Sequence, residues 1–160
     1  MHDRIPAAAA FSSHTLGIAL CIIVAIFVSQ GCSGGTEHRE DDATRDFNFI
    51  GRAYGLILQR TRRAPKDVAE IKETLGALHA AGVSPAPEEV LVSSRDGQPY
   101  VIVLKGPKPG QDESSAIMAY EKIGAEGKRY VLMTSLDVAQ LSDEDFKQAK
   151  FMHGHKPDLP

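Results

Sequence analysis

The chain has 160 residues, about the length of one domain. Its 18 lysines and arginines against 21 aspartates and glutamates give a net charge of -3, which excludes the basic surface that nucleic-acid binding needs. A hydrophobic content of 42% is ordinary for a folded protein, whereas two cysteines are too few for a disulfide scaffold or a four-ligand structural zinc site.

The amino-terminal segment carries no charged side chain from Ile5 to Thr36. Within it, residues 16–28 form a run of 13 apolar residues. This length fits the apolar region of a secretory signal and falls short of the ~20 residues that a stable membrane span needs. Gly31 then directly precedes Cys32. The segment therefore predicts export.

Residues 16–32 resemble the lipobox of bacterial lipoproteins, in which the cysteine is acylated and becomes the first residue of the mature chain. Ser29 stands where that family prefers Leu or Val. The resemblance implies a lipid on Cys32. Two alternatives remain: an uncleaved anchor helix from about Phe11 to Gly31, and a conventional cleaved signal. All three place the later residues outside the cytoplasm, and the lipid or the anchor helix would hold them at a membrane.

The chain divides into four predicted segments. Residues 1–32 are the signal, lipobox or anchor, and residues 33–43 are a flexible tether because Gly34 and Gly35 precede mixed charge with no large apolar residue. Residues 44–151 form the folded domain, and residues 152–160 form a tail without core-forming periodicity.

Two helices are predicted at the start of the folded domain. Apolar residues at helical spacing define the first, which Pro65 ends. Asp67 is an N-cap for the second, and Glu70 completes a capping-box pattern. Gly82 is a typical helix stop. The apolar stripe of the first helix consists of Phe47, Ile50, Tyr54, Ile57 and Leu58.

Short strands and turns follow these helices. The Asp96-Gly97 pair predicts a turn between strands at 89–92 and 100–104, and residues 124–127 predict a second turn, between strands at 116–121 and 129–133. A final strand at 138–141 precedes a helix from Asp143 to about Ala149, which Ser142 caps and whose Phe146 faces inward. We therefore predict an α+β fold in which two N-terminal helices pack on a small antiparallel sheet of hairpins, with a short C-terminal helix.

Two stretches of this region resemble known domains. The run from Arg95 to Val101 is similar to the turn that opens the sheet of type II secretion pseudopilins and type IV pilins. Ala119-Tyr120-Glu121, Val131-Leu132-Met133 and residues 141–146 resemble the carboxy-terminal end of prepilin-type processing-associated domains. That family's signature Asp-Gly is missing, because residues 134–137 are Thr-Ser-Leu-Asp. The resemblance implies a pilin-like head on an exported bacterial lipoprotein.

The resemblance does not extend to pilin assembly. Pilins carry Glu at the fifth position of the mature chain, and here no Glu occurs before residue 37. We therefore do not expect the usual polymerisation.

Two groups of residues are candidates for interaction. Gly51 and Gly55, four residues apart, lie on one side of the first helix, where another element could approach closely. Arg60, Arg62 and Arg63 form a basic cluster at the end of that helix, either as favourable charge near its C-terminus or as a docking patch for an acidic partner or lipid headgroup.

Chemical sites are weakly indicated. His153 and His155 lack a third metal ligand at reliable spacing, and the acidic residues 143–145 are interpreted as a helix start. We predict no cofactor, metal, catalytic residue or small-molecule substrate. The predicted function is a noncatalytic interaction or structural module of the cell envelope with a possible envelope protein partner. The alternative is a minor pseudopilin-like component of a secretion or pilus system.

Overall fold

A computed structural model describes residues 37–106 and 114–158, with side chains from Asp42 onward. Four α-helices, four β-strands and a short 3-10 helix at Met152–Gly154 are present in these ranges. The helices are α1 (Glu37–Thr61), α2 (Val68–Ala80), α3 (Pro87–Val90) and α4 (Asp143–Gln148). The strands are β1 (Val101–Ile102), β2 (Ile117–Tyr120), β3 (Lys128–Met133) and β4 (Val138–Ser142).

Helix α1 carries the predicted apolar stripe, but it begins earlier than expected. Phe47, Ile50 and Ile57 are buried, whereas Leu58 is 45% exposed and lies outside the core. The helix starts at Glu37, so residues 37–43 of the predicted tether are helical. Composition alone was a poor guide because the acidic residues of this segment are compatible with the first turns of a helix.

Helix α2 has the predicted ends. The Asp67 carboxylate accepts a hydrogen bond from the Glu70 amide at 2.9 Å. At the other end, Gly82 adopts a φ of +69°, and the amides of Gly82 and Val83 donate to the carbonyls of His79 and Leu78. This pair of bonds closes the last turn as glycine commonly does. The capping box is incomplete, because the Glu70 carboxylate accepts from the Lys66 amide instead of the Asp67 amide.

The predicted strand at 89–92 is wrong. Residues 87–90 form α3, in which Pro87 occupies the first turn and Val90 is buried. Proline suits this position because its missing N–H would be unpaired there anyway. The turn around Asp96-Gly97 is present, and it brings Val92 opposite Pro99 in a single bridge. The following strand is shortened to the two residues of β1.

The sheet is antiparallel throughout, with strand order β1-β2-β3-β4. The second predicted hairpin is confirmed: β2 and β3 are joined through a tight turn at Glu126 and Gly127, whose φ angles are 55° and 70°. Both residues are left-handed, as in the turns that match the twist of a hairpin. The sheet confirms the predicted class at the level of a mixed helix and sheet fold.

Each face of the sheet is covered by apolar side chains. Ala119 and Leu132 face a core that also contains the stripe of α1, together with Ile71 and Leu75 of α2. Tyr120 and Val131 face the opposite side. Helix α2 packs mainly on α1 and α3, and α1 contacts β3 and β4. Phe146 of α4 is fully buried on the second face, as predicted, and the Ser142 hydroxyl caps this helix through the Asp145 amide.

The predicted tail contributes to the core. Phe151 bridges Ile117 in parallel, and Met152 is buried in the α1-side core. Met152 of the predicted tail therefore packs in the core, although the sequence after α4 has no apolar periodicity. In the described part of the chain, no helix has the length and apolar character that crossing a membrane requires.

Candidate functional site

A groove of about 430 Å³ lies between α1 and α2, near the C-terminal end of α1. Its volume is in the range of ligand and peptide clefts in proteins. Both apolar and polar side chains line its walls, and Leu56 is 39% exposed there. The lining residues on α1 are Leu56, Ile57, Gln59, Arg60 and Thr61, and those on α2 are Glu70, Glu73, Thr74, Ala77 and Leu78.

The basic cluster does not present three equivalent cations. Arg60 lines the groove and is exposed. Arg62, also exposed, adopts a left-handed φ of 59° directly after α1. Arg63 is held in a two-pronged ion pair, since both of its Nη atoms lie 2.9 Å from a Glu70 oxygen. This hydrogen bonding lowers the pKa of Glu70 to about 2. Arg63 therefore joins the end of α1 to the start of α2, and Arg60 is the member of the cluster that faces a cleft.

The two glycines of α1 differ in their surroundings. A Cβ on Gly51 would lie 3.2 Å from Leu136 Cδ2 and 3.4 Å from Leu132 Cδ2, so this glycine lets the helix lie close to the sheet of its own chain. Apart from its chain neighbours and the backbone of its own helix, a Cβ on Gly55 would meet no described atom within 4 Å. Gly51 is therefore a packing residue, and Gly55 borders accessible space one residue before Leu56.

A buried ionic cluster, formed by Ser93, Arg95 and Glu121, joins the two hairpin turns. Glu121 is fully buried and the Arg95 side chain is 6% exposed, and Arg95 Nη1 lies 2.8 Å from Glu121 Oε2. The Ser93 hydroxyl donates to Glu121 Oε1 at 2.8 Å, and the Tyr130 amide donates to Oε2 at 2.8 Å. The Arg95 guanidinium also stacks 4.7 Å from the centre of the Tyr130 ring.

The chemistry of this cluster follows from its burial. Burial raises the pKa of Glu121, although the Tyr130 amide, Ser93 and Arg95 all favour its charged form. A carboxylate that accepts from a serine hydroxyl has the form of a base-nucleophile pair. Ser93 is only 1% exposed, however, and it lines neither the α1–α2 groove nor the smaller cleft between residues 102–105 and 152–155. The cluster instead fixes one hairpin turn against the other. Its members are 26 and 28 residues apart, so no local sequence pattern could have indicated it.

A second buried carboxylate lies on α1. Asp46 is 1% exposed, and its Oδ1 accepts from the Arg45 side chain at 2.9 and 3.1 Å. The Tyr100 hydroxyl donates to Asp46 Oδ2 at 3.5 Å, from the segment that precedes β1. Burial is the largest influence on Asp46 and raises its pKa to about 6, against the opposing effect of Arg45. Asp46 therefore keeps its proton to a higher pH than an exposed aspartate does.

The two histidines of the tail are engaged in internal contacts. His153 Nδ1 lies 3.2 Å from the Gly106 carbonyl, and His155 Nε2 lies 3.0 Å from the Tyr120 hydroxyl. In the described ranges, no three His, Cys, Asp or Glu side chains are grouped so that they would hold a metal ion. These contacts attach the tail to β2 and to the segment that follows β1.

The comparisons with known proteins add no assignment. No family model, curated protein or solved structure matches the chain. Cys32, the predicted lipidation residue, lies outside the described residues. Of the predicted interaction residues, Arg60 lines the α1–α2 groove, whereas Gly51 and Gly55 are not among its lining residues. The groove is therefore the candidate interaction site.

Proposed function

We propose that this chain is a membrane-tethered extracytoplasmic module with a pilin-like body, which binds another envelope protein and is not an enzyme. The observation that carries the proposal is the charge-free segment from Ile5 to Thr36, with its apolar run and Cys32. The described helix α1 begins at Glu37, five positions after Cys32 in the sequence. A lipid on Cys32 would thus hold the domain at a membrane surface.

The α1–α2 groove supports the interaction part of the proposal. It combines exposed apolar surface at Leu56 with the cationic side chain of Arg60 and the carboxylate of Glu73. Protein interfaces commonly combine an apolar centre with a polar rim. The buried carboxylates Asp46 and Glu121 are paired with side chains of the same chain, which supports a structural role for them.

The tethering is tested by intact-mass measurement of the membrane-extracted protein, with Cys32→Ser as the variant. We expect the wild-type mass to correspond to a chain that begins at Cys32 and carries acyl chains. Cys32→Ser should abolish this mass, because no thiol remains to accept the lipid, and Cys21→Ser should leave it unchanged. A wild-type chain that retains Met1 and is dissolved inside the cell would contradict the proposal. A methylated apolar first residue would instead favour the pseudopilin-like alternative.

The groove is tested by a matched pair of substitutions on α2. Ala77 lines the groove and Ala80, which is also exposed, is not among its lining residues. With a photo-cross-linking residue at Leu56, we expect Ala77→Arg to suppress the cross-linked partner band by about tenfold or more, since a long cation would fill the cleft. Ala80→Arg should leave the band intact. Equal bands in both variants would exclude the groove as the binding surface.

A further inference from the structure

The two edges of the sheet are unlike each other. β1 has two residues and follows Pro99, which lacks an amide hydrogen. β4 has five residues and pairs with β3 without any shift in register, from Lys128 opposite Ser142 to Leu132 opposite Val138. The edge at β4 is therefore a regular, extended strand, whereas the edge at β1 is short.

The register fixes which main-chain groups of β4 point away from β3. The Glu121 amide donates to the Tyr130 carbonyl at 3.0 Å, so the main chain of Tyr130 faces β2 and not its β4 partner, Gln140. The Met133 amide donates to the Asp137 carbonyl, so odd-numbered residues of the two strands direct their main-chain groups towards each other and even-numbered residues direct them away. The amides of Val138, Gln140 and Ser142 thus point outward. Within residues 37–106 and 114–158, no main-chain acceptor pairs with them.

β4 has none of the features that protect strand edges. Edge strands commonly carry lysines, proline, a bulge or an inward-pointing charge, each of which opposes pairing with a further strand. The sequence Val138-Ala139-Gln140-Leu141-Ser142 has no charge and no proline, and its pairing has no bulge. An extended strand presented in this way is a template for a further strand.

We propose that β4 pairs antiparallel with β4 of a second copy of the chain, around a two-fold axis at Gln140, so that two four-stranded sheets become one of eight strands. Within the strand no like charges are opposed, and just beyond its ends this register places Asp137 of each copy opposite Asp143 of the partner subunit. Gln140 lies opposite Gln140 of the partner subunit, and its exposed amide side chain both donates and accepts hydrogen bonds. Asp143, next after the strand, is already paired with Arg129 Nε at 3.0 Å.

The same register joins the apolar surface of the two copies. Ala139 and Leu141 are half-buried and pack against the core on the α4 side of the sheet. Around the two-fold axis, Leu141 of one copy lies opposite Ala139 of the partner subunit. Cross-strand neighbours of this kind are the unit of sheet stabilisation. The pairing requires only the β4 edge and does not rest on the lipid or on the α1–α2 groove.

Cysteine cross-linking of the detergent-extracted full-length protein tests this pairing. Gln140→Cys should give a covalent dimer on mild oxidation, because it places two thiols across the axis. Gln148→Cys, an exposed position on α4, is the matched control and should give no dimer above that of the unsubstituted chain, which already contains Cys21 and Cys32. Equal cross-linking of the two variants, or none in either, would overturn the proposal. A covalent link from Gln140→Cys to another protein in place of the dimer would also overturn it.

Charge exchange at the axis provides a second test that does not depend on thiols. Gln140→Lys and Gln140→Glu should each weaken the dimer about fivefold or more in sedimentation equilibrium, since like charges face each other across the axis. An equimolar mixture of the two should associate at least as well as the wild type. Thermal unfolding should stay unchanged, because this side chain is exposed. Failure of the mixture to restore association, or a monomeric wild type, would contradict the proposal.

Discussion

Glu121→Ala is expected to lower the free energy of unfolding by about 3–5 kcal/mol, the typical result of breaking a buried ion pair from one side. The substitution leaves the Arg95 guanidinium buried without its carboxylate, and it also removes the acceptor of the Ser93 hydroxyl and the Tyr130 amide. Chemical denaturation of the detergent-solubilised chain, followed by circular dichroism, measures the loss.

The exposed carboxylate of Glu73 provides the control for this effect. Glu73→Ala should change the free energy of unfolding by less than about 0.5 kcal/mol, as is usual for exposed positions. The double variant Glu121→Leu with Arg95→Met should be more stable than Glu121→Ala, because no isolated charge then remains in the core. A loss below about 1 kcal/mol for Glu121→Ala would mean that water or another group replaces the missing partner.

Asp46→Asn is expected to stabilise the protein at pH 8 and to have little effect at pH 4. Burial raises the pKa of Asp46 from 3.8 to about 6, so the folded state binds a proton that the unfolded state releases. The stabilisation by this proton is complete below pH 3.8 and is lost as the pH rises through 6. The full difference corresponds to about 3 kcal/mol. Asparagine has no charge to bury, so this loss should disappear.

The pH dependence is measured as the free energy of unfolding of wild type and variant between pH 4 and pH 8. The groups that face Asp46 are Arg45 on its own helix, which Asp42 also contacts, and Tyr100 from the sheet side. Asp158→Asn, at an exposed position in the tail, should follow the wild-type curve. Parallel curves for wild type and Asp46→Asn would show that Asp46 keeps its ordinary pKa in the folded protein.

Local signals predicted the elements that local contacts stabilise. Asp67 and Gly82 mark the two ends of α2. Both could be predicted because an N-cap and a left-handed glycine each bond to main-chain groups within one helical turn. The turn at Glu126-Gly127 and the Ser142 cap were equally accessible from the sequence, since each depends on neighbours within three or four residues.

The remaining features depend on residues far apart in the chain. The apolar run at 90–92 is too short for its period to separate a strand from a helix, and Pro87 together with the core around Val90 favours the helix. Tyr100 and Ser93, which donate to Asp46 and Glu121, lie 54 and 28 residues away from these carboxylates in the sequence. Arg60 is the one groove residue that the sequence indicated for interaction. The α2 wall of the groove was not predicted, because no sequence pattern specifies how two helices lie against each other.

The position of α1 at the start of the folded domain has a consequence for the order of folding. Its apolar stripe packs in a core that includes Leu132 and Met152, and Gly51 lies against Leu132 and Leu136. These partners are 81 or more residues later than Gly51, so they leave the ribosome long after α1. Contacts between residues so far apart in the sequence form slowly during folding. We therefore expect the growing chain to stay open until its last residues are made, a state in which a translocation channel can accept it.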